Sequence, residues 1–135
     1  MTTSGSGDRP GRRRRSRASA HGRLRARGRL WIDLDDAPLL GPGRAALLEA
    51  VVETGSISAA ARALGMSYRK AWTLVDSINR AAGSALVERS AGGRGGGGAR
   101  LTPQGERALK LYRQLEGGVE QLCRRAEQRF SALLR

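Results

Sequence analysis

Apolar and polar positions divide this chain into blocks of different period. Leu30, Ile32 and Leu34 alternate with polar residues, with Trp31 on the opposite side. That period of two predicts a short strand beginning near Arg29. Pro38, Gly41, Pro42 and Gly43 predict a turn, with a helix starting around Pro42. Leu47, Leu48, Val51 and Val52 recur at helical spacing and form one apolar stripe. Gly55 ends that helix, and Ser56 suits the N-cap of the next. The second helix, roughly 57–64, turns Ile57, Ala60, Ala61 and Leu64 inward, and its alanines allow close helix approach. Gly65 supplies the left-handed corner at little steric cost. Ser67 caps a third helix over about 68–82. Ala71, Trp72, Val75, Ile78 and Ala82 make its inner face; Arg69, Lys70, Thr73, Asp76 and Arg80 point away.

Gly83 stops the third helix, and Ala85–Arg89 and Ala99–Thr102 read as the strands of a hairpin. Its tip, residues 92–98, is six glycines around Arg94, which suits either a wing or a flexible linker. From Pro103 the pattern is one long helix. Ala108, Tyr112, Leu115, Val119, Leu122, Ala126 and Leu133 follow a heptad-like seam interrupted at Arg129, and such a seam needs another surface to cover it. Gly117 and Gly118 each cost about 1 kcal/mol relative to alanine inside a helix and mark a kink or a close crossing.

Two short helices joined through a glycine corner and followed by a hairpin predict the fold class. It is mostly α with a small β wing: a winged helix-turn-helix with a long C-terminal dimerisation helix. The chain divides into a disordered basic tail at 1–28, a DNA-binding domain at 29–102 and a dimerisation helix at 103–135.

Charge changes this picture most. The 135 residues carry 25 basic and 12 acidic side chains, a net of +13. Residues 1–30 hold ten arginines against Asp8, leaving +4 for the rest. Such an excess favours a polyanionic partner, because every neutralised phosphate releases counterions. The tail at 1–28 lacks large apolar side chains and reads as a solvated tail, an extension from an upstream start, or an arm on DNA. One cysteine, Cys123, leaves no intrachain disulfide and no multi-cysteine zinc site, and the one histidine, His21, lies in the tail. No apolar run approaches the roughly 20 residues that span a bilayer. A soluble, cytoplasmic and nucleoid-associated protein without membrane partners is expected.

The exposed N-terminal end of the third helix carries the candidate chemistry. Ser67, Tyr68, Arg69, Lys70 and Thr73 are placed to reach DNA, with Arg69 reading a base and Lys70 holding a phosphate. Ser56, Ser58, Arg94 and Arg100 are assigned to phosphates, and Arg89 joins Arg100 at the base of the wing. Trp72 reads as core in preference to a base-stacking platform. The glycine tip lacks the lysine and Ser/Thr of a P-loop and joins two strands, which argues against nucleotide binding. Without a histidine in the structured part or a second cysteine, no nucleophile–base pair or transition-metal site forms, so no enzyme, cofactor or metal is expected. Asp33, Asp35 and Asp36 read as a solvent-facing strand end rather than a cation site. Cys123 reads as a small buried side chain rather than a redox sensor.

The stretches GSISAAARALGMSYRKAWTLVDSINR and LVERSAGGRGGGGARLTPQGERALKLY resemble the N-terminal DNA-binding domain of molybdate-responsive regulators of the ModE type. More distantly they resemble the winged helix of LysR-type regulators. The resemblance covers roughly residues 29–130. It implies a homodimer on a palindromic operator in double-stranded DNA, with Ser67, Tyr68, Arg69 and Lys70 on the recognition helix and Arg94 in the wing. The dimer seam is expected at Tyr112, Leu115, Val119, Leu122, Ala126 and Leu133. Members of that family carry C-terminal oxyanion-binding modules. Nothing in this sequence matches those modules, so molybdate is not expected to bind this chain directly. Two other functions remain open: an architectural binder dominated by the basic arm, and an interaction module paired with a separate sensor subunit.

Overall fold

The computed structural model describes residues 22–90 and 98–135. Among them the order is β1 (Ile32–Leu34), β2 (Ala37–Leu40), α1 (Pro42–Thr54), α2 (Ile57–Ala63), α3 (Tyr68–Ala82), β3 (Val87–Arg89), β4 (Ala99–Leu101) and α4 (Pro103–Leu133). Three helices and a two-stranded wing make a winged helix-turn-helix, and a fourth helix extends from it.

The N-terminal strand is half of a hairpin. β1 pairs antiparallel with β2, Leu34 opposite Ala37 and Ile32 opposite Leu40. This corrects the expected turn at Pro38–Gly43: Pro38 lies in β2 opposite Asp33, and the reversal falls at Asp35, which takes a left-handed φ of 53°. A two-stranded sheet is all edge, so a proline without an N–H is tolerated there. Aspartate is among the few residues that enter the left-handed region readily.

The core gathers where the stripes of α1, α2 and α3 meet. Ala45, Leu47, Leu48, Ala50 and Val51 of α1 pack with Ile57, Ala60 and Ala61 of α2 and with Ala71, Val75 and Ile78 of α3. Two expected core members lie outside it. Val52, one step around the helix from Val51, is 59% exposed. Leu64 follows the last turn of α2 and is also exposed. The caps act locally: Ser56 accepts from the Ala59 amide and Ser67 from the Lys70 amide. Gly65, at φ +66°, makes the corner, where the Met66 amide returns to the Ala61 carbonyl.

The wing is tied to the end of α1 at one strand and closed at its base by its own arms. Ala99 N donates to Gly55 O at 2.9 Å, and Thr102 N to Leu86 O at 2.9 Å. Asn79 of α3 joins it from below: its Oδ1 accepts from the amides of Leu86 (2.8 Å) and Val87 (3.1 Å), and its Nδ2 donates to the Val87 carbonyl.

α4 runs 31 residues without a break at Gly117–Gly118, a length of about 46 Å. Its first turns pack on the domain. A Cβ at Gly105 would strike the Leu86 carbonyl, so only glycine lets helix and wing approach this closely. Arg113 pairs with Glu49 of α1 and, at 2.8 Å, with Glu116.

Tyr112 is fully buried and its hydroxyl donates to Leu30 O at 2.8 Å. That removes it from the expected dimer seam, because its ring belongs to the core of its own chain. Burial, helped by the Glu116 carboxylate, raises the Tyr112 hydroxyl above the ordinary 10.0, with Arg113 and Arg29 opposing. The unfolded tyrosine therefore ionises first. Stability present in full below pH 10 should decline as pH rises through the folded value. Urea midpoints at pH 9 and above pH 10 should show a fall that Tyr112→Phe makes shallower.

Residues 22–31 have no regular secondary structure, and 24–30 lie beside α4. Ala26 N donates to Glu127 Oε1 at 3.0 Å, and Gly28 sits against Val119 and Cys123. The segment 22–28, assigned from the sequence to the tail, thus includes a stretch laid on the last helix.

Candidate nucleic-acid interface

The short loop between α2 and α3 places the first turn of α3 at the surface. Ser67, Tyr68, Arg69, Lys70 and Thr73 are all exposed on it, while Ala71, Val75 and Ile78 on the other side are buried. The division follows from the helical period alone: apolar side chains every three or four residues anchor the helix, and the positions between them project outward. The Thr73 hydroxyl donates to the Arg69 carbonyl at 2.9 Å, so its oxygen still has acceptor capacity for an outside group. Ser58 is exposed on α2, whereas Ser56 is half-buried with its oxygen engaged in the cap.

At the wing the arginines differ in their surroundings. The Arg89 guanidinium lies over the Trp72 ring, 4.2 Å from the ring centroid, and Tyr68 meets the same indole edge-on at 6.3 Å. Trp72, expected on the buried face, is half-buried. It packs on the core and holds the wing strand to α3. Its Nε1 is buried without a hydrogen-bond partner. Arg100 pairs with Glu88 across the hairpin at 2.9 Å, and both side chains are well exposed. Such a surface pair contributes about 0–1 kcal/mol, so Arg100 is readily redirected to a stronger anion. Arg94 lies outside the described residues.

Sequence reasoning missed three contributors. Asn79 gives no signal, because a polar residue on a helix flank looks like any solvated one. Glu88 becomes Arg100's partner only once the register, Glu88 opposite Arg100, is known. Arg44 donates to the Pro38 carbonyl and the Ser77 hydroxyl, joining the N-terminal hairpin to α3.

Along α4 the expected seam splits. Val119 and Ala126 are half-buried beside the segment 22–31, whereas Leu115, Leu122 and Leu133 are exposed. Leu111, not expected in the seam, is 55% exposed and continues the same line. Gly118 falls between Leu115 and Leu122, with no atom within 4 Å of where a Cβ would stand.

Among the described residues no group of three His, Cys, Asp or Glu side chains is arranged to hold a metal ion. No helix among them is long and apolar enough to cross a membrane.

Residues 44–106 match the family described as bacterial regulatory helix-turn-helix protein, lysR family. The chain is 47% identical over 83 residues to the molybdenum-pterin-binding protein MopB of Rhodobacter capsulatus, covering 62% of this chain and 31% of that protein. It is 41% identical over 83 residues to the DNA-binding transcriptional dual regulator ModE of Escherichia coli K12, covering 62% and 32%. The chain thus spans about a third of the length of these relatives. A crystal structure of the BenM DNA-binding domain in complex with benA site 1 DNA has the same fold. Its TM-score is 0.51 at 21% identity, over 64% of this chain and 94% of that one.

Proposed function

We propose, from the LysR-type helix-turn-helix domain at residues 44–106, that this chain is a sequence-specific DNA-binding regulator of transcription. The observation that carries this reading is α3 with its cap: one face is locked into the core, and Ser67, Tyr68, Arg69, Lys70 and Thr73 are exposed on the other. In this reading α3 enters the major groove with Arg69 on a base edge and Lys70 on a phosphate. The wing lies on the adjacent backbone through Arg89, Arg94 and Arg100, and Ser56 and Ser58 approach the phosphates from α2. The name of one relative, the DNA-binding transcriptional dual regulator ModE, supports this class of function.

A second copy covers the exposed line Leu111, Leu115, Leu122 and Leu133 of α4, with Gly118 letting the two helices cross closely. The two recognition helices then read inverted half-sites about 34 Å apart. Molybdate has no assigned residues in this chain, and the regulator reading does not need it.

The test is selection of bound genomic fragments by the purified chain at about 0.15 M salt, where the screening length is about 8 Å, with and without molybdate. An inverted repeat should be enriched. Arg69→Ala should weaken binding to it by about 1–3 kcal/mol and relax the preference at one base pair of each half-site. No enriched motif would sink this reading.

A further inference from the structure

The basic segment before β1 has an order that its composition conceals. Residues 23–30 read Arg-Leu-Arg-Ala-Arg-Gly-Arg-Leu: every odd position is arginine and every even one is apolar or small. The even positions meet α4. Leu24 and Ala26 line a hollow with Ala126, Glu127 and Phe130. Gly28 touches Val119 and Cys123, and the Leu30 carbonyl accepts from Tyr112. From Ala26 to Leu30 the strap passes α4 from Glu127 to Tyr112, about 22 Å of helix axis. Four residues reach about 14 Å at full extension, so this stretch is nearly straight and the two side chains supply the rest. In an extended chain alternate side chains point to opposite sides. Arg23, Arg25, Arg27 and Arg29 are all exposed.

We infer that residues 23–29 form an arginine ladder, clipped to α4, that binds the phosphate backbone of duplex DNA at a surface separate from the recognition helix. The rungs stand about 6.6 Å apart, twice the strand rise, a repeat that suits successive phosphates along one strand. The acids Glu116, Glu120 and Glu127 of α4 line the same hollow as Arg25, Arg27 and Arg29 and offset part of the ladder's charge. Glu127 is engaged by the Ala26 amide and Glu116 by Arg113. Among the described residues no strap arginine forms an ion pair. The strap's one large apolar side chain before Leu30, Leu24, lies in the hollow beside Phe130 and is 38% exposed. Guanidinium groups held on a fixed backbone lose less freedom on binding than the same charges on a loose chain.

The experiment uses the full chain and a random-sequence 30-bp duplex, titrated from 0.05 to 0.2 M salt. Replacing Arg23, Arg25, Arg27 and Arg29 together by glutamine should reduce the slope of log K against log salt by about 3.6, since each phosphate contact contributes about 0.9. A change below about 1 overturns the ladder. Gly28→Val keeps every charge but drives a side chain into Val119, where a Cβ already comes within 2.9 Å. It should weaken the same binding several-fold, and wild-type affinity would overturn the ordered arrangement. Binding of the wild type to anionic phospholipid vesicles, abolished by the four glutamines while the DNA slope stays unchanged, would assign the ladder to a membrane instead. Because the duplex carries no operator, failure here leaves the regulator reading standing. Loss of a selected motif in Arg69→Ala tests that reading alone.

Discussion

Asn79→Ala is expected to destabilise the domain by about 3 kcal/mol, more than any other polar substitution at the interface. The side chain makes three hydrogen bonds to the backbone of β3 and the residue before it. Leu86 and Val87 are 2% and 3% exposed, so water does not easily replace the lost partner. A buried donor left unmet costs about 1–3 kcal/mol, and two amides and one carbonyl are orphaned together. Partial access around half-buried Asn79 keeps the total near the lower end of that sum. Asn79→Asp separates the contributions: it retains the acceptor for both amides but sets a carboxylate oxygen against the Val87 carbonyl. Urea unfolding at constant m-value should rank wild type above Asp and Asp above Ala or level with it. In the proposed function DNA affinity should fall further than stability predicts, because Asn79 ties the wing to α3. An alanine variant within about 1 kcal/mol of wild type would show that the wing is held by other contacts.

The second large effect is expected from Leu115→Glu with Leu122→Glu. Both side chains are substantially exposed, at 44% and 58%. The fold should therefore survive, with a melting temperature near that of wild type. The proposed dimer should not, since two carboxylates per helix would be buried across the seam. Joining two half-site readers makes the second contact intramolecular and raises overall affinity by about 10²–10⁴. The double variant should therefore sediment as a monomer and lose operator affinity by a factor of that order. Its affinity for an isolated half-site should match wild type. A monomeric wild-type chain, or a double variant that remains dimeric, removes α4 from the assembly.

How much was legible depended on how local each signal was. Ser56, Gly65, Ser67 and Gly83 act on their immediate neighbours, and the bounds of α2 and α3 follow from them closely. Pro38 misled because a proline usually ends a strand, and only the pairing to Asp33 shows it inside one. Tyr112 shows the limit of periodicity. A heptad states which side chains share a face and is silent about whether that face meets its own chain or another. At 23–29 arginine alternates with Leu, Ala and Gly, but a period of two without large apolar side chains does not reveal that the stretch lies on α4. For Asn79 and the Glu88–Arg100 pair no local pattern exists, since their partners are set by the register of the wing.

The strap's bond from Ala26 to Glu127 joins residues 101 positions apart. A ribosome makes the strap about a hundred residues before its seat on α4. At about 5–20 residues per second the interval is on the order of 5–20 seconds. The helix-turn-helix, built from near-neighbour contacts, can assemble within that window. Through that interval the arginines of 23–29 have no helix to lie against, and formation of α4 is what turns a loose basic stretch into a fixed one.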